Sequence, residues 1–128
     1  MNAFAPDVVA LLQNLIRIPS INPEGSGEGP GRGERRCAEH VAECLSFLGA
    51  EVVLEEVLPD RPNVIGRFPG PEEGPGILFA PHTDTVSVEG MTIDPFGGEV
   101  RDGRVYGRGA SDTKGTMAAM LWALYEVR

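Results

Sequence analysis

The stretch Gly76-Ile77-Leu78-Phe79-Ala80-Pro81-His82-Thr83-Asp84 places a short apolar run directly before a histidine, a spacer and an aspartate. A run of that length and composition predicts a buried strand. Pro81 then opens it into a loop, and strand ends are where α/β sheets carry ligand-binding and catalytic groups. If the backbone stays extended, His82 and Asp84 share one face. Twenty-eight residues further on, a second acid, Asp112, lies in the glycine-flanked stretch Gly107-Arg108-Gly109-Ala110-Ser111-Asp112-Thr113-Lys114-Gly115.

Outward from this pair of motifs the elements alternate. Asp7 to Ile18 predicts a first helix, with Pro6 at its opening, Val8, Leu11, Leu12, Leu15 and Ile16 along one face, and Pro19 as its stop. A glycine- and proline-rich loop occupies residues 20–33. A second helix, Glu34 to Leu48, aligns Cys37, Val41, Cys44, Leu45 and Leu48, with Gly49 as its C-terminal cap. Candidate strands follow at Glu51 to Val57, Asn63 to Phe68 and Gly76 to Ala80. Asp102-Gly103 between Gly98-Glu99-Val100 and Val105-Tyr106 predicts a tight hairpin. Lys114 to Arg128 predicts a last helix that is apolar almost all round, a character that calls for cover on more than one side. The fold class is α/β.

Composition narrows the function. The chain has 128 residues, 41% of them hydrophobic, enough for a core. Eleven basic against 19 acidic residues give a net charge of −8, which disfavours nucleic acid and anionic membranes as partners and favours cations. No run approaches the ~20 apolar residues of a membrane span. Pro6 and Asp7 interrupt any signal-peptide-like start. Cys37 and Cys44 lie seven residues apart on one helix, about 10.5 Å, too far for a disulfide within it. They predict buried thiols and a cytoplasmic location.

The chemistry these residues offer is metal binding. Asp84 can accept the proton on one imidazole nitrogen of His82, freeing the other as a metal ligand. Asp112 adds a hard oxygen donor able to bridge two metals roughly 3.5–4 Å apart. Each motif alone also has an ordinary use: His-x-Asp is common, and an acid beside glycine often caps a helix. Cys37, His40 and Cys44 recur at a spacing that can hold a metal, although packing of the thiols in the core accounts for them as well. Arg101, Arg104 and Arg108 can steer an anion or be solvated hairpin charges, and Lys114 can pair with Asp112 or another acid.

Taken in order, Ala80-Pro81-His82-Thr83-Asp84-Thr85-Val86, Asp94-Pro95-Phe96 and Asp102 to Gly115 resemble the zinc aminohydrolases related to acetylornithine deacetylase, succinyl-diaminopimelate desuccinylase, aminoacylase and the glutamate carboxypeptidases. Arg17-Ile18-Pro19-Ser20 followed by Asn22-Pro23 resembles the segment after that family's first helix. The resemblance implies a zinc aminopeptidase-like fold, a mixed-sheet catalytic domain with flanking helices, of which residues 1–128 form the N-terminal part. It implies that His82 and Asp112 ligate zinc, Asp112 as the bridge between two ions, with cobalt able to substitute. Asp84 is then the catalytic residue that orients His82, and the Asp112-Thr113 peptide is cis.

The family also uses a Glu-Glu pair downstream of the bridging aspartate. Here Glu126 is the only acid after Asp112; Glu55-Glu56 and Glu72-Glu73 come too early and predict solvated surface. No counterpart of the family's dimerisation domain is expected within residues 1–128. The expected function is hydrolysis of an amide bond in a small N-acylated amino acid or peptide, by a water that two zinc ions activate, with this chain inactive alone. The competing reading is a non-catalytic remnant or association module that keeps half of the fold and self-associates through its apolar last helix. A cation-binding structural module has only the net charge behind it.

Overall fold

The computed structural model describes residues 4–25, 31–71 and 74–127. Helix α1 spans Val8–Ile16 and starts where Asp7 leaves the helical region and accepts the Ala10 N–H on its carboxylate at 2.7 Å. Pro6 therefore lies ahead of the cap. The helix ends two residues earlier than its apolar pattern predicts, because the last turn tightens: the Ile18 N–H reaches only back to Leu15 O. Pro19 excludes a further turn.

Helix α2 (Arg35–Phe47) buries Cys37, Ala38, Val41, Cys44 and Leu45, as its periodicity predicts. It closes with the Gly49 N–H on Ser46 O and the Ala50 N–H on Leu45 O, the paired bonds of a Schellman cap. Helix α3 (Lys114–Val127) lies against α1 and buries Met117, Ala118 and Leu121. Phe4 fills the end of this contact, stacking on Tyr125 at 4.8 Å, Phe47 at 5.5 Å and Trp122 at 5.7 Å. Leu11 and Leu15 of α1, neither exposed to solvent, complete the core. Burying each such leucine contributes roughly 1.5–3 kcal/mol, so the three helices form the stable body of the chain. Among the described residues, α3 is covered on one flank; Ala119 and Ala123 remain exposed.

Strands β1 (Glu51–Leu58) and β2 (Arg61–Arg67) pair antiparallel from Glu51↔Arg67 to Leu58↔Arg61, with an irregularity between Glu56 and Leu58. Val52 and Val64 turn toward the helical core. The tip of the hairpin is tied to α2 by charge: Arg35 pairs with Glu56 and with Asp60 at 2.9 Å, and Arg61 pairs with the buried Glu34 at 2.9 Å. Strands β3 (Glu99–Arg101) and β4 (Arg104–Tyr106) form a second antiparallel pair. Asp102 and Gly103 at its tip have φ of 51° and 71°, the doubly positive turn that Asp-Gly predicts.

One predicted element departs from its pattern. Residues 76–80 form no strand, and Ile77 and Leu78 are 85% and 88% exposed. An extended segment becomes a strand only beside a ladder partner, and among the described residues none lies alongside this run. The histidine therefore follows an exposed segment without regular secondary structure rather than a buried strand. Glu72 and Glu73 lie outside the described residues; Glu55 and Glu56 are exposed, as predicted.

Candidate metal centre

Two loops converge beyond the C-terminal end of α1. The first carries His82 and Asp84 and is held by the segment after α1. Ser20 Oγ donates to Thr83 O at 2.7 Å, the Thr85 N–H to Ser20 O at 2.9 Å, and the Asn22 N–H to Thr85 O at 2.8 Å. The second runs from Gly107 to Asp112 and leads into α3. Gly109 has φ of 81°, and a Cβ at this position would stand 2.9 Å from Thr85 Cγ2 and 3.1 Å from Lys114 Cδ. Only glycine allows the second loop to press this closely on the first.

The convergence sets His82 between two acids. Its Nε2 lies 2.9 Å from Asp112 Oδ1. Its Nδ1 lies 2.9 Å from the Asp84 backbone carbonyl and 3.2 Å from Asp84 Oδ1. The sequence reading gave the orienting role to the Asp84 carboxylate alone; here the backbone carbonyl takes the shorter contact and the carboxylate flanks it. A carbonyl only accepts, so Nδ1 carries a proton; the Asp112 carboxylate also only accepts, so the ring donates from Nε2 in this geometry, and Nε2 is the nitrogen that would give up its proton to a metal. Partial burial disfavours charge on the ring. The bond to Asp112, the bond to the Asp84 carbonyl and the two nearby carboxylates outweigh it and raise the His82 pKa above the ordinary value.

A divalent cation fits the same donors. Nε2 has its tautomer fixed from the far side, and Asp112 offers an oxygen from an 86% exposed side chain, so approach is open. Tetrahedral zinc with bonds of about 2.0–2.1 Å sets its ligands about 3.3–3.4 Å apart, a few tenths of an ångström wider than the present pair. Among the described residues no group of three or more His, Cys, Asp or Glu side chains is arranged to hold a metal. Asp84 sits on the opposite nitrogen and is not a third donor at Nε2. A cleft of about 230 Å³ adjoins the pair, bounded by residues 82, 84–86 and 107–112. The Asp112-Thr113 peptide is cis, as the resemblance implies.

The other candidates resolve differently. Cys37 and Cys44 are fully buried, and burial pushes the Cys44 thiol up to about 11 and raises that of Cys37 as well. Protonated thiols are poor ligands, so Cys37 and Cys44 belong to the core, with the half-buried His40 at its edge. Arg101 lies 4.7 Å from the centre of the Tyr106 ring and 3.5 Å from Glu99, a surface arrangement. Lys114 pairs with neither Asp112 nor another acid among the described residues. Its ammonium group is buried and donates to Leu15 O at 2.9 Å and Ile18 O at 2.6 Å, closing the end of α1.

The region that carries these loops has recognisable relatives. Residues 78–128 match the model of peptidase family M20/M25/M40. Succinyl-diaminopimelate desuccinylase from Rhodospirillum centenum is 40% identical over 94% of this chain and 30% of its own length. The desuccinylase of Methylobacterium radiotolerans is 42% identical over 93% of this chain and 29% of its own. An M20 family metallo-carboxypeptidase from Sulfolobus solfataricus superposes with a TM-score of 0.78 at 26% identity, covering 96% of this chain and 27% of that one. Human carnosine dipeptidase 1 superposes with a TM-score of 0.75 at 25% identity. The chain thus spans about 30% of the length of the curated relatives it matches, and its mixed helix-and-strand architecture is that of M20 carboxypeptidase folds. Among the described residues, no helix is long and apolar enough to cross a membrane.

Beside the three predicted residues, the two converging loops depend on Ser20 and Asn22, to which sequence reasoning gave no role of their own. Their signal was present but faint: two polar side chains at alternate positions of an extended segment share a face.

Proposed function

We propose that this chain supplies part of the zinc centre of an M20 amide hydrolase acting on N-acylated amino acids, with His82 and Asp112 as ligands and Asp84 as the residue that orients His82. The observation that carries this reading is His82 itself, its Nδ1 fixed by Asp84 and its Nε2 2.9 Å from Asp112. The relatives at about 40% identity are desuccinylases, which favours an acyl group ending in a second carboxylate. Zinc, when bound, supplies a Lewis acid that polarises the amide carbonyl and acidifies water. The chain's own part is to present one neutral imidazole nitrogen and one carboxylate oxygen at the edge of an open cleft. A general base within reach of that water is also required. Glu126, the only acid after Asp112, lies far along α3.

The 128 residues are therefore expected to bind zinc weakly and to hydrolyse nothing. Calorimetric titration with zinc, alongside an assay on N-succinyl and N-acetyl amino acids, tests both points. His82→Ala should abolish the binding heat, and zinc-dependent turnover by the isolated chain would sink the proposal. The association reading has the exposed Ile77 and Leu78 in its favour. A stable dimer that takes up no zinc in the same titration would favour it instead.

A further inference from the structure

The Asp84 carboxylate has a second partner, on the oxygen turned away from His82. Asn22 Nδ2 donates to Asp84 Oδ2 at 2.9 Å across 62 residues of sequence. The amide orientation is fixed independently, because Asn22 Oδ1 accepts the Glu24 N–H at 2.9 Å. A flipped amide would set Oδ1 against a carboxylate and its NH₂ against an N–H, losing both bonds. The backbone beneath it is fixed too. The Asn22 N–H donates to Thr85 O, and the Asn22 carbonyl accepts from Arg32 Nη2 at 3.1 Å. The same Arg32 nitrogen reaches Pro23 O and Gly25 O, so the turn that carries Asn22 is gathered around one guanidinium.

From this geometry we infer that Asn22 is a positioning residue for the metal centre: it holds Asp84 Oδ2 so that Oδ1 and the Asp84 carbonyl stay on His82 Nδ1. The inference rests on the zinc reading above for its functional consequence, although not for the contact itself. Asparagine suits the position because one end of its amide must accept and the other must donate. Aspartate would present two acceptors and bring a second negative charge against Asp84; serine is too short to span both bonds. A carboxylate with one oxygen tied has lost most of its rotational freedom, and the imidazole inherits that order.

Two measurements on the intact 128-residue chain test this. The first needs no metal. In ¹H–¹⁵N spectra, one Asn22 side-chain amide proton should lie away from the free-amide position, collapse to it in Asp84→Ala and stay in place in Asp112→Ala. An Asn22 signal indifferent to Asp84→Ala overturns the inference, whether or not zinc binds. The second is calorimetric titration with zinc chloride alone, with thermal melts confirming that each variant folds. Asn22→Ala should weaken zinc binding about tenfold, the usual consequence of removing a group that orients a ligand. Asp84→Ala should do the same, and the double variant should lose no more than either single one. Equal affinity in wild type and Asn22→Ala, or additive losses in the double variant, would also overturn it. A wild-type chain that takes up no zinc while the amide signal still answers to Asp84→Ala overturns the zinc reading and leaves the Asn22–Asp84 pairing supported.

Discussion

Asp84 and Asp112 face the same imidazole from opposite nitrogens, and the chain holds them in opposite ways. Asp84 is about one-third exposed, its far oxygen bonded to Asn22 and its backbone pinned by the 20–22 segment. Asp112 is 86% exposed, and His82 is the only hydrogen-bond or ion-pair partner its side chain has among the described residues. The difference separates two jobs that sequence alone gives to similar residues. A carboxylate tied on both oxygens can orient a neighbour but has little left to offer a ligand. One tied on a single oxygen, and open to solvent, can give that oxygen to a cation. What steadies Asp112 is therefore its backbone, fixed by the start of α3 and by the close packing of Gly109.

The largest expected effect comes from cutting that anchor. Lys114 Nζ closes two carbonyls at the end of α1 from a buried position, and burial lowers its pKa from the ordinary lysine value. Lys114→Met keeps the length of the side chain, takes the donor from Ile18 O and leaves Leu15 O with the Ile18 N–H alone. Losing two charge-assisted bonds while two acceptors stay buried should cost about 3 kcal/mol. In urea denaturation the midpoint should fall by about 2 M. A midpoint within error of wild type would mean that the α1–α3 junction does not rely on this group.

Next in size is Gly109→Ala. The new methyl would meet Thr85 and Lys114 at a backbone angle that favours glycine, for a combined cost of about 2 kcal/mol. It should also part the two loops and weaken zinc binding. A loss below about 0.5 kcal/mol, the range of an ordinary surface change, would show that the loops do not press together in solution.

The legibility of the molecule follows the same division between local and distant partners. The first two helices were readable because Leu11, Leu15, Cys37 and Val41 repeat with the helical period, the last because it is an apolar run long enough for a helix, and the β3–β4 turn because Asp102-Gly103 accepts positive φ within four residues of sequence. His82, Asp84 and Asp112 were readable as chemistry from residue type and from their resemblance to a family. Three features were not. Gly76 to Ala80 has the composition of a buried strand, yet a strand is defined by what lies beside it, and composition carries no record of a neighbour. Lys114 looked like a partner for an acid; its true partners are main-chain carbonyls, which have no sequence signature. Asn22 contacts Asp84 across a separation of 62 residues, and nothing in either motif encodes that distance.

The smallest effect is the sharpest test of the contrast. In the absence of metal, Asp84→Ala removes a partly buried carboxylate and strands the Asn22 amide, which should cost about 1 kcal/mol. Asp112→Ala removes an exposed carboxylate whose pairing with His82 is screened by solvent, so stability should change by no more than about 0.5 kcal/mol in either direction. Under zinc titration the ranking should invert: Asp112→Ala loses a ligand outright and abolishes measurable binding, whereas Asp84→Ala only loosens it. Parallel denaturation and calorimetry on the two variants decide the matter. Equal stability losses, or a zinc affinity that suffers more from Asp84→Ala than from Asp112→Ala, would erase the distinction between an acid that holds the histidine and an acid that shares its metal.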